Sequence, residues 1–370
     1  MYTNQQIMDV ASHFRYGTAP ESFQELTSGN INATFRLDFP AGSGVGSCIL
    51  QRINTTAFRD PDALMRNIRL VTGHIRSALV AEGLDPERRV LCFVEAEDGT
   101  LLYRDALGGV WRSYHYVDDC TAYNRIESPE LFCEIGRGFG EFQRRLSDFP
   151  AGELAETIPH FHDTPLRYKT LLASVKADPV GRVKGLEREL EFLSRREDMM
   201  HSIVDRLATG ELPLRVTHND TKVNNVLIDN TTRKALCVID LDTVMPGSSL
   251  YDFGDAVRFG ACTAAEDEPD TDKIGFDMEL FRAFAKGFVS MTAGSLTETE
   301  LSLLPLGVFV LTCELVVRFL TDYIDGDRYF KIHYPEHNLV RTRAQMKLLT
   351  EVERHMDDMN ACIQQILQEQ

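Results

Sequence analysis

Thr217-His218-Asn219-Asp220-Thr221-Lys222-Val223-Asn224-Asn225, followed by Val238-Ile239-Asp240-Leu241-Asp242, is the stretch on which the fold of this 370-residue chain turns. Val223 to Ile228 and Ala235 to Ile239 are short β-type runs, and the tetrad Asp229-Asn230-Thr231-Thr232 between them consists of turn formers. The spacing predicts a hairpin. Folding it back brings Asp240 beside Asn225, so that an amide oxygen and a carboxylate oxygen reach one hard cation together. Asp220 lies just ahead of the first strand, where a substrate hydroxyl can meet it. One carboxylate to orient a hydroxyl, with an Asn and a second carboxylate to hold magnesium on a nucleotide, is what phosphoryl transfer requires. The competing reading is that Asp220 caps a turn and Asp240 merely ends a strand; the combined spacing of all three residues weighs against it.

A second carboxylate competes for the metal, because Asp252-Phe253-Gly254 spells the protein-kinase magnesium motif. Asp252 lies twelve residues beyond Asp240, past Pro246-Gly247-Ser248-Ser249, and cannot pair back to Asn225. Magnesium is therefore assigned to Asn225 and Asp240, with Asp252 as a hydrogen-bond acceptor behind the site.

The segments 217–225 and 238–247, the latter continuing Thr243-Val244-Met245-Pro246-Gly247, resemble the catalytic core of the aminoglycoside phosphotransferase and choline kinase superfamily, relatives of the protein kinases. Within it they look most like N-acetylhexosamine 1-kinases, and the resemblance extends over most of the chain. It implies an α+β, two-lobed, protein-kinase-like fold, with a small β-rich lobe over residues 1–116 and a larger, mainly helical lobe over 117–370. It also implies ATP and Mg2+ as cofactors and the anomeric hydroxyl of an N-acetylhexosamine as acceptor. In that superfamily the region corresponding to Tyr251-Asp252 supports the catalytic loop.

The periodicity outward from the hairpin agrees with that division. Thr34 to Phe39 and Cys48 to Ile53 read as strands around the turn-rich 40–46; Pro61 to Val80 reads as a helix capped by Asp60; strands resume at Val90 to Glu95, Leu101 to Arg104 and Trp111 to Tyr116. From Ser128 the pattern is helical, with Pro129 to Leu146, Gly185 to Leu207, Glu279 to Thr292 and Gly307 to Tyr323 as the clearest cases. The resemblance places the hinge at Tyr114-His115-Tyr116-Val117-Asp118, where backbone groups near Tyr114 and Tyr116 would bind the adenine edge.

Several further positions are candidates for the site. Leu26 to Phe35 falls where a phosphate-covering loop belongs, and Gly29 and Asn30 in it are candidate phosphate or sugar contacts, against an ordinary surface turn. The phosphate-binding lysine is missing from its strand. Alternation in Cys48 to Ile53 puts Leu50 and Arg52 on one face, so Arg52 is the expected replacement, with a solvated strand-end charge as the alternative. The helix after it has no acidic residue between Met65 and Val80 to pair with a phosphate-binding cation. Glu314 and Arg318 stand four apart in an apolar helix, so they are paired or functional. The resemblance makes Arg318 and Tyr329 sugar contacts, against a buried Glu314–Arg318 ion pair. Asp242 is a third sugar candidate, because carboxylates accept hydrogen bonds from vicinal hydroxyls. His160 and His162, beside Asp163, read as exposed loop residues rather than a metal site.

Composition bounds the alternatives. With 39 basic against 56 acidic residues the net charge is −17, which disfavours nucleic acid and anionic membranes as partners. The eight cysteines form no C-x-x-C pair and several sit in apolar runs, as in a reducing compartment. Met1 to Val10 lacks the apolar core of a signal peptide, and Leu301 to Leu320 is interrupted by Pro305, Glu314 and Arg318; a cytoplasmic location is the expectation. The partners expected are thus a nucleotide and a small sugar. The rivals are a kinase for another small alcohol (homoserine, choline, an aminoglycoside) and an inactive pseudokinase acting as a binding module. The single Trp111, in the hinge strand, disfavours the aromatic cage that choline needs.

Overall fold

The computed structural model describes residues 2–26 and 31–370. Helix α1 (Asn4–Ser12) starts at a capping box in which Thr3 and Gln6 satisfy each other's backbone N–H. Strands β1 (Ser22–Leu26), β2 (Ala33–Asp38) and β3 (Cys48–Arg52) follow, then helix α2 (Pro61–Ala81), whose cap Asp60 accepts from the Ala63 N–H as its sequence predicts. Strands β4 (Phe93–Val94), β5 (Tyr103–Arg104) and β6 (Val110–His115) complete an antiparallel sheet in the order β1-β2-β3-β6-β4, with β5 also on β6. The expected strands at 90–95 and 101–104 shrink to two residues each; the side chains of Val90, Leu91 and Leu102 pack instead into the cluster around α2.

The sheet has two apolar faces. Phe35, Leu37, Leu50 and Trp111 pack under α1 with Ile7, Val10 and Phe14. On the other side α2 buries Leu64, Ile68, Val71 and Ile75 in a cluster shared with Phe142, Val216, Leu241 and Val244, which belong to the helical half. After His115 the chain leaves the sheet, and β7 (Cys120–Ala122) pairs with a strand of the helical half, so the crossing falls within residues 116–119.

The rest is mainly helical. Helices α3 (Pro129–Arg145), α4 (Thr164–Ala177), α5 (Glu187–Ser194), α6 (Glu197–Met200) and α7 (Ser202–Thr209) precede β8 (Arg215–Thr217), β9 (Val226–Asp229), β10 (Ala235–Val238) and β11 (Met245–Gly247). Then come α8 (Ser249–Gly260), α9 (Met278–Thr292), α10 (Glu298–Ser302), α11 (Leu304–Ile324), α12 (His337–Arg354) and α13 (Met356–Gln368). The single helix expected over 185–207 is three short ones, because the chain turns at Arg195-Arg196 and again at His201 to follow the core. Pro305 does not interrupt α11. It lies in the first turn, where a proline has no N–H to lose. This helix is long and apolar enough to cross a bilayer, and its faces are buried against α4, α8 and α12. Where α8 crosses α11, a Cβ on Gly254 would strike the Gly307 carbonyl, and one on Gly307 the Leu250 carbonyl. Two glycines thus let the helix carrying Asp252 lie directly on the helix carrying Glu314 and Arg318.

Candidate active site

The predicted hairpin forms. β9 and β10 pair antiparallel with Val226 opposite Val238, and the ladder extends to an Ile239 N–H donating to the Asn225 carbonyl at 2.9 Å. Residues 223–225 make a 3-10 turn rather than the start of the strand. At the hairpin's tip the Asp229 carboxylate accepts from the backbone N–H groups of Thr231 and Thr232 at 3.1 and 2.7 Å, which closes the turn.

The loop at 217–221 is suspended from buried partners. His218 Nε2 faces the Ile239 carbonyl at 2.9 Å and its Nδ1 accepts from the Asp220 N–H at 3.3 Å, so one neutral tautomer links the loop to the end of β10. Asn219 takes a positive φ of 63° and its amide donates to the Thr243 carbonyl at 2.8 Å. Asp252 is buried, and its carboxylate accepts from the His218 N–H (2.9 Å), the Asn219 N–H (2.8 Å) and Gln143 Nε2 (2.6 Å). Its oxygens are therefore spent on the loop. Burial raises its pKa, opposed by His218 and by these hydrogen bonds.

At the front of the loop, Asn225 Nδ2 donates to the Asp220 carbonyl at 2.7 Å, which turns the amide oxygen the other way. Lys222 Nζ stands 2.8 Å from the Asp220 carboxylate; burial works against the ammonium, but attraction to Asp220 outweighs it and raises the Lys222 pKa. Asp240, at φ 60°, opens to solvent on one side and has no hydrogen-bond partner for its carboxylate within the described residues. Burial on its other sides, then the charges of Asp242 and Asp220, push its pKa up to about 6. An unpartnered carboxylate crowded by like charges beside a free amide oxygen fits a hard cation such as Mg2+, which takes few protein ligands and keeps its water.

Two expectations change here. Arg52 is exposed at the end of β3, on the face of Leu50, with its guanidinium 5.0 Å from the Tyr2 ring; the pleat points it to the α1 side, away from the carboxylates. The opposite face carries Gln51 and Arg112. Arg112, from β6, is buried and reaches Asp242 at 2.5 Å, while Gln51 Oε1 accepts from its Nε and Nη2 at 3.0 and 2.8 Å. Burial disfavours the Arg112 charge, but Asp242 outweighs it and the pKa is raised. Asp242 is correspondingly not free for a sugar: it is buried, and its other oxygen accepts from Asn32 Nδ2 at 2.7 Å. Asn32 and Arg112 thus join the sheet to the segment that begins at Asp240, a pairing that no local pattern in the sequence signals.

The remaining candidates fall as follows. Gly29 and Asn30 lie outside the described residues. The Tyr114 side chain packs on Phe93 with ring centroids 5.3 Å apart, and burial raises its pKa. The Tyr116 N–H is donated to the Ser47 carbonyl at 2.9 Å, and Arg36 sits over its ring, so that amide is not available to a base. Arg318 lies in an aromatic enclosure, with its guanidinium 5.3 Å from the Phe161 ring, 5.5 Å from Phe330 and 5.7 Å from Tyr329. It is 3.5 Å from Glu314, but Glu314 is already satisfied by His162 and Thr164, each at 3.0 Å. His162 is therefore a buried partner, not an exposed loop residue. Burial alone would raise the Glu314 pKa; His162, Arg167 and Arg318 instead hold it down to about 2. The His162 ring lies 4.8 Å from that of Tyr251, the neighbour of Asp252, so the enclosure adjoins the 217–221 loop through α8.

A model of the phosphotransferase enzyme family matches residues 22–282, spanning the sheet, the loop and the hairpin. The chain belongs to that family. Membership makes it a phosphotransferase. Among solved members of the fold, a microcompartment-associated aminopropanol kinase superposes with TM-score 0.65 at 18% identity, over 96% of this chain and 98% of its own. An aminoglycoside phosphotransferase from Alicyclobacillus acidocaldarius gives 0.61 at 14% identity, over 100% and 98%. A spectinomycin phosphotransferase bound to ADP and spectinomycin gives 0.56 at 12% identity, over 96% and 98%. At these identities the likeness is one of fold.

Proposed function

We propose that the protein transfers the γ-phosphoryl group of ATP to the anomeric hydroxyl of an N-acetylhexosamine. The observation that carries the reading is the convergence of Asp220, Asn225 and Asp240 at the open end of one hairpin. Asp220 accepts the sugar hydroxyl's hydrogen bond and takes its proton as the oxygen attacks phosphorus, with ADP leaving on the opposite side. Lys222 holds the Asp220 carboxylate in place. Asn225 Oδ1 and Asp240 would hold Mg2+, which when bound neutralises phosphate charge on the nucleotide.

The hexosamine reading rests on the resemblance of segments 217–225 and 238–247, and on the chemistry around Arg318. Aromatic faces from Phe161, Tyr329 and Phe330 suit the apolar side of a pyranose, and the guanidinium keeps donors for a hydroxyl or acetamido oxygen. The same guanidinium, with Arg167 behind it, repels a quaternary or primary ammonium, which disfavours choline, amino alcohols and aminoglycosides as acceptors. A coupled assay of ADP release with N-acetylglucosamine, N-acetylgalactosamine, choline, homoserine and kanamycin tests this. Turnover restricted to the two acetylated sugars supports the reading; preference for a cationic acceptor overturns it, and failure with every acceptor at adequate ATP favours a binding module.

A further inference from the structure

The segment that brings Tyr329 and Phe330 over Arg318 is not held by its own hydrophobic contacts alone. It is a tight return after α11, turning through Gly326 at φ 91° and Asp327 at φ 58°. Three consecutive backbone N–H groups in it converge on a single carboxylate: Arg328 and Tyr329 donate to Asp322 Oδ1 at 2.8 and 2.7 Å, and Phe330 donates to Oδ2 at 2.9 Å. Asp322 is buried in the last turn of α11. Its remaining acceptor site takes Asn338 Nδ2 at 2.8 Å, and the same amide nitrogen reaches Asp327 Oδ1 at 2.9 Å. Asn338 is fully buried at the start of α12, and Arg182 closes the network by pairing with Asp327 and donating to the Tyr323 carbonyl at 2.9 Å.

We infer that Asp322 is the positioning residue of the acceptor pocket, fixing the 328–330 backbone so that the Tyr329 and Phe330 rings frame Arg318. Charge-assisted bonds to three adjacent amides restrain both the turn and the direction in which these side chains leave it. Asp322 lies one helical turn beyond Arg318 on α11, so one helix supplies the cation and anchors its aromatic frame. Without the carboxylate, three amides lose their acceptor and the exposed Tyr329 ring loses its fixed stem. The inference rests on the proposed acceptor site; the restraint on the loop can be measured without it.

Asp322→Asn keeps the volume but replaces one acceptor oxygen with a donor facing N–H groups. Hydrogen exchange followed by mass spectrometry on the full chain should show faster exchange across 328–330, with the catalytic-loop peptides unchanged. In steady state the KM for N-acetylglucosamine should rise about tenfold, with kcat reduced less and the KM for ATP within about twofold of wild type. In a Tyr329→Ala background the same substitution should raise KM by a smaller factor than it does alone, because part of its effect runs through the Tyr329 ring. Unchanged exchange at 328–330, or an Asp322 effect that multiplies in full on Tyr329→Ala, overturns the inference. If Asp322→Asn does not fold, Asn338→Ala withdraws one donor from the same carboxylate and must move exchange and KM in the same direction. A wild-type protein that phosphorylates neither acetylated hexosamine refutes the acceptor reading, and the exchange comparison still decides whether Asp322 holds the loop.

Discussion

Replacing Asp242 by Ala tests the contact that joins the sheet to the catalytic segment. In the native protein the Arg112 and Asp242 side chains are 4% and 3% exposed and 2.5 Å apart. Removing one partner at such burial strands the other charge, which costs about 3–5 kcal/mol. Losing the Asn32 hydrogen bond adds about 1 kcal/mol. Relief of repulsion on Asp240 works the other way, but that carboxylate faces solvent on one side, so screening leaves it too small to offset the loss. The net expectation is a destabilisation of about 4–6 kcal/mol. Trp111, the only tryptophan, is buried on β6 next to Arg112, so its fluorescence during urea unfolding reports the sheet while far-ultraviolet circular dichroism follows the helices. The double variant Arg112→Met/Asp242→Leu should recover most of the lost stability, because an apolar pair leaves no stranded charge. Its turnover should stay low, since neither side chain then holds the segment beginning at Asp240. A loss below about 1 kcal/mol for Asp242→Ala, or a double variant no more stable than the single one, would refute the argument.

Asp220→Asn should lower kcat at least about a hundredfold with ATP affinity nearly unchanged, measured by steady-state kinetics and nucleotide titration; an equal loss of nucleotide binding would make Asp220 a metal residue instead. Asp240→Asn should make the metal-free protein more stable at pH 7, because the native pKa is raised to about 6 and the ionised form is disfavoured, while magnesium-dependent nucleotide binding is lost. Asp252→Asn should be destabilising, since it sets an amide donor against the N–H groups of His218 and Asn219; greater magnesium dependence of this variant than of Asp240→Asn would reverse the metal assignment. Arg318→Leu should weaken acceptor affinity about tenfold to a hundredfold with little change in melting temperature, because His162 and Thr164 continue to satisfy Glu314; a large melting shift with normal acceptor affinity would remove Arg318 from the pocket. Glu314, with its native pKa lowered from 4.5 to about 2, contributes stability that is complete above pH 4.5 and lost as pH falls through about 2, so Glu314→Gln should flatten the acid limb of a stability–pH curve.

The parts of this protein legible in its sequence are those whose cause is local. The hairpin follows from two short apolar runs and four turn formers, and closing it needs no distant contact. Helices α2, α3 and α9 keep their expected limits to within a residue or two because cap and apolar stripe, joined in α2 and α3 by a first-turn proline, lie within a few turns of one another. Local alternation also correctly put Leu50 and Arg52 on one face of β3, but it cannot say which face looks into the cleft; that depends on where α1 and α2 dock, and it sent Arg52 away from the site. Arg112 meets Asp242 across 130 positions, Asn32 meets it across 210, and His162 meets Glu314 across 152. A buried charge requires a partner, and the sequence states that requirement for Glu314 as soon as it appears in an apolar helix. Which partner satisfies it is decided by sheet register and by how closely Gly254 and Gly307 let two helices cross, and these are properties of the assembled chain.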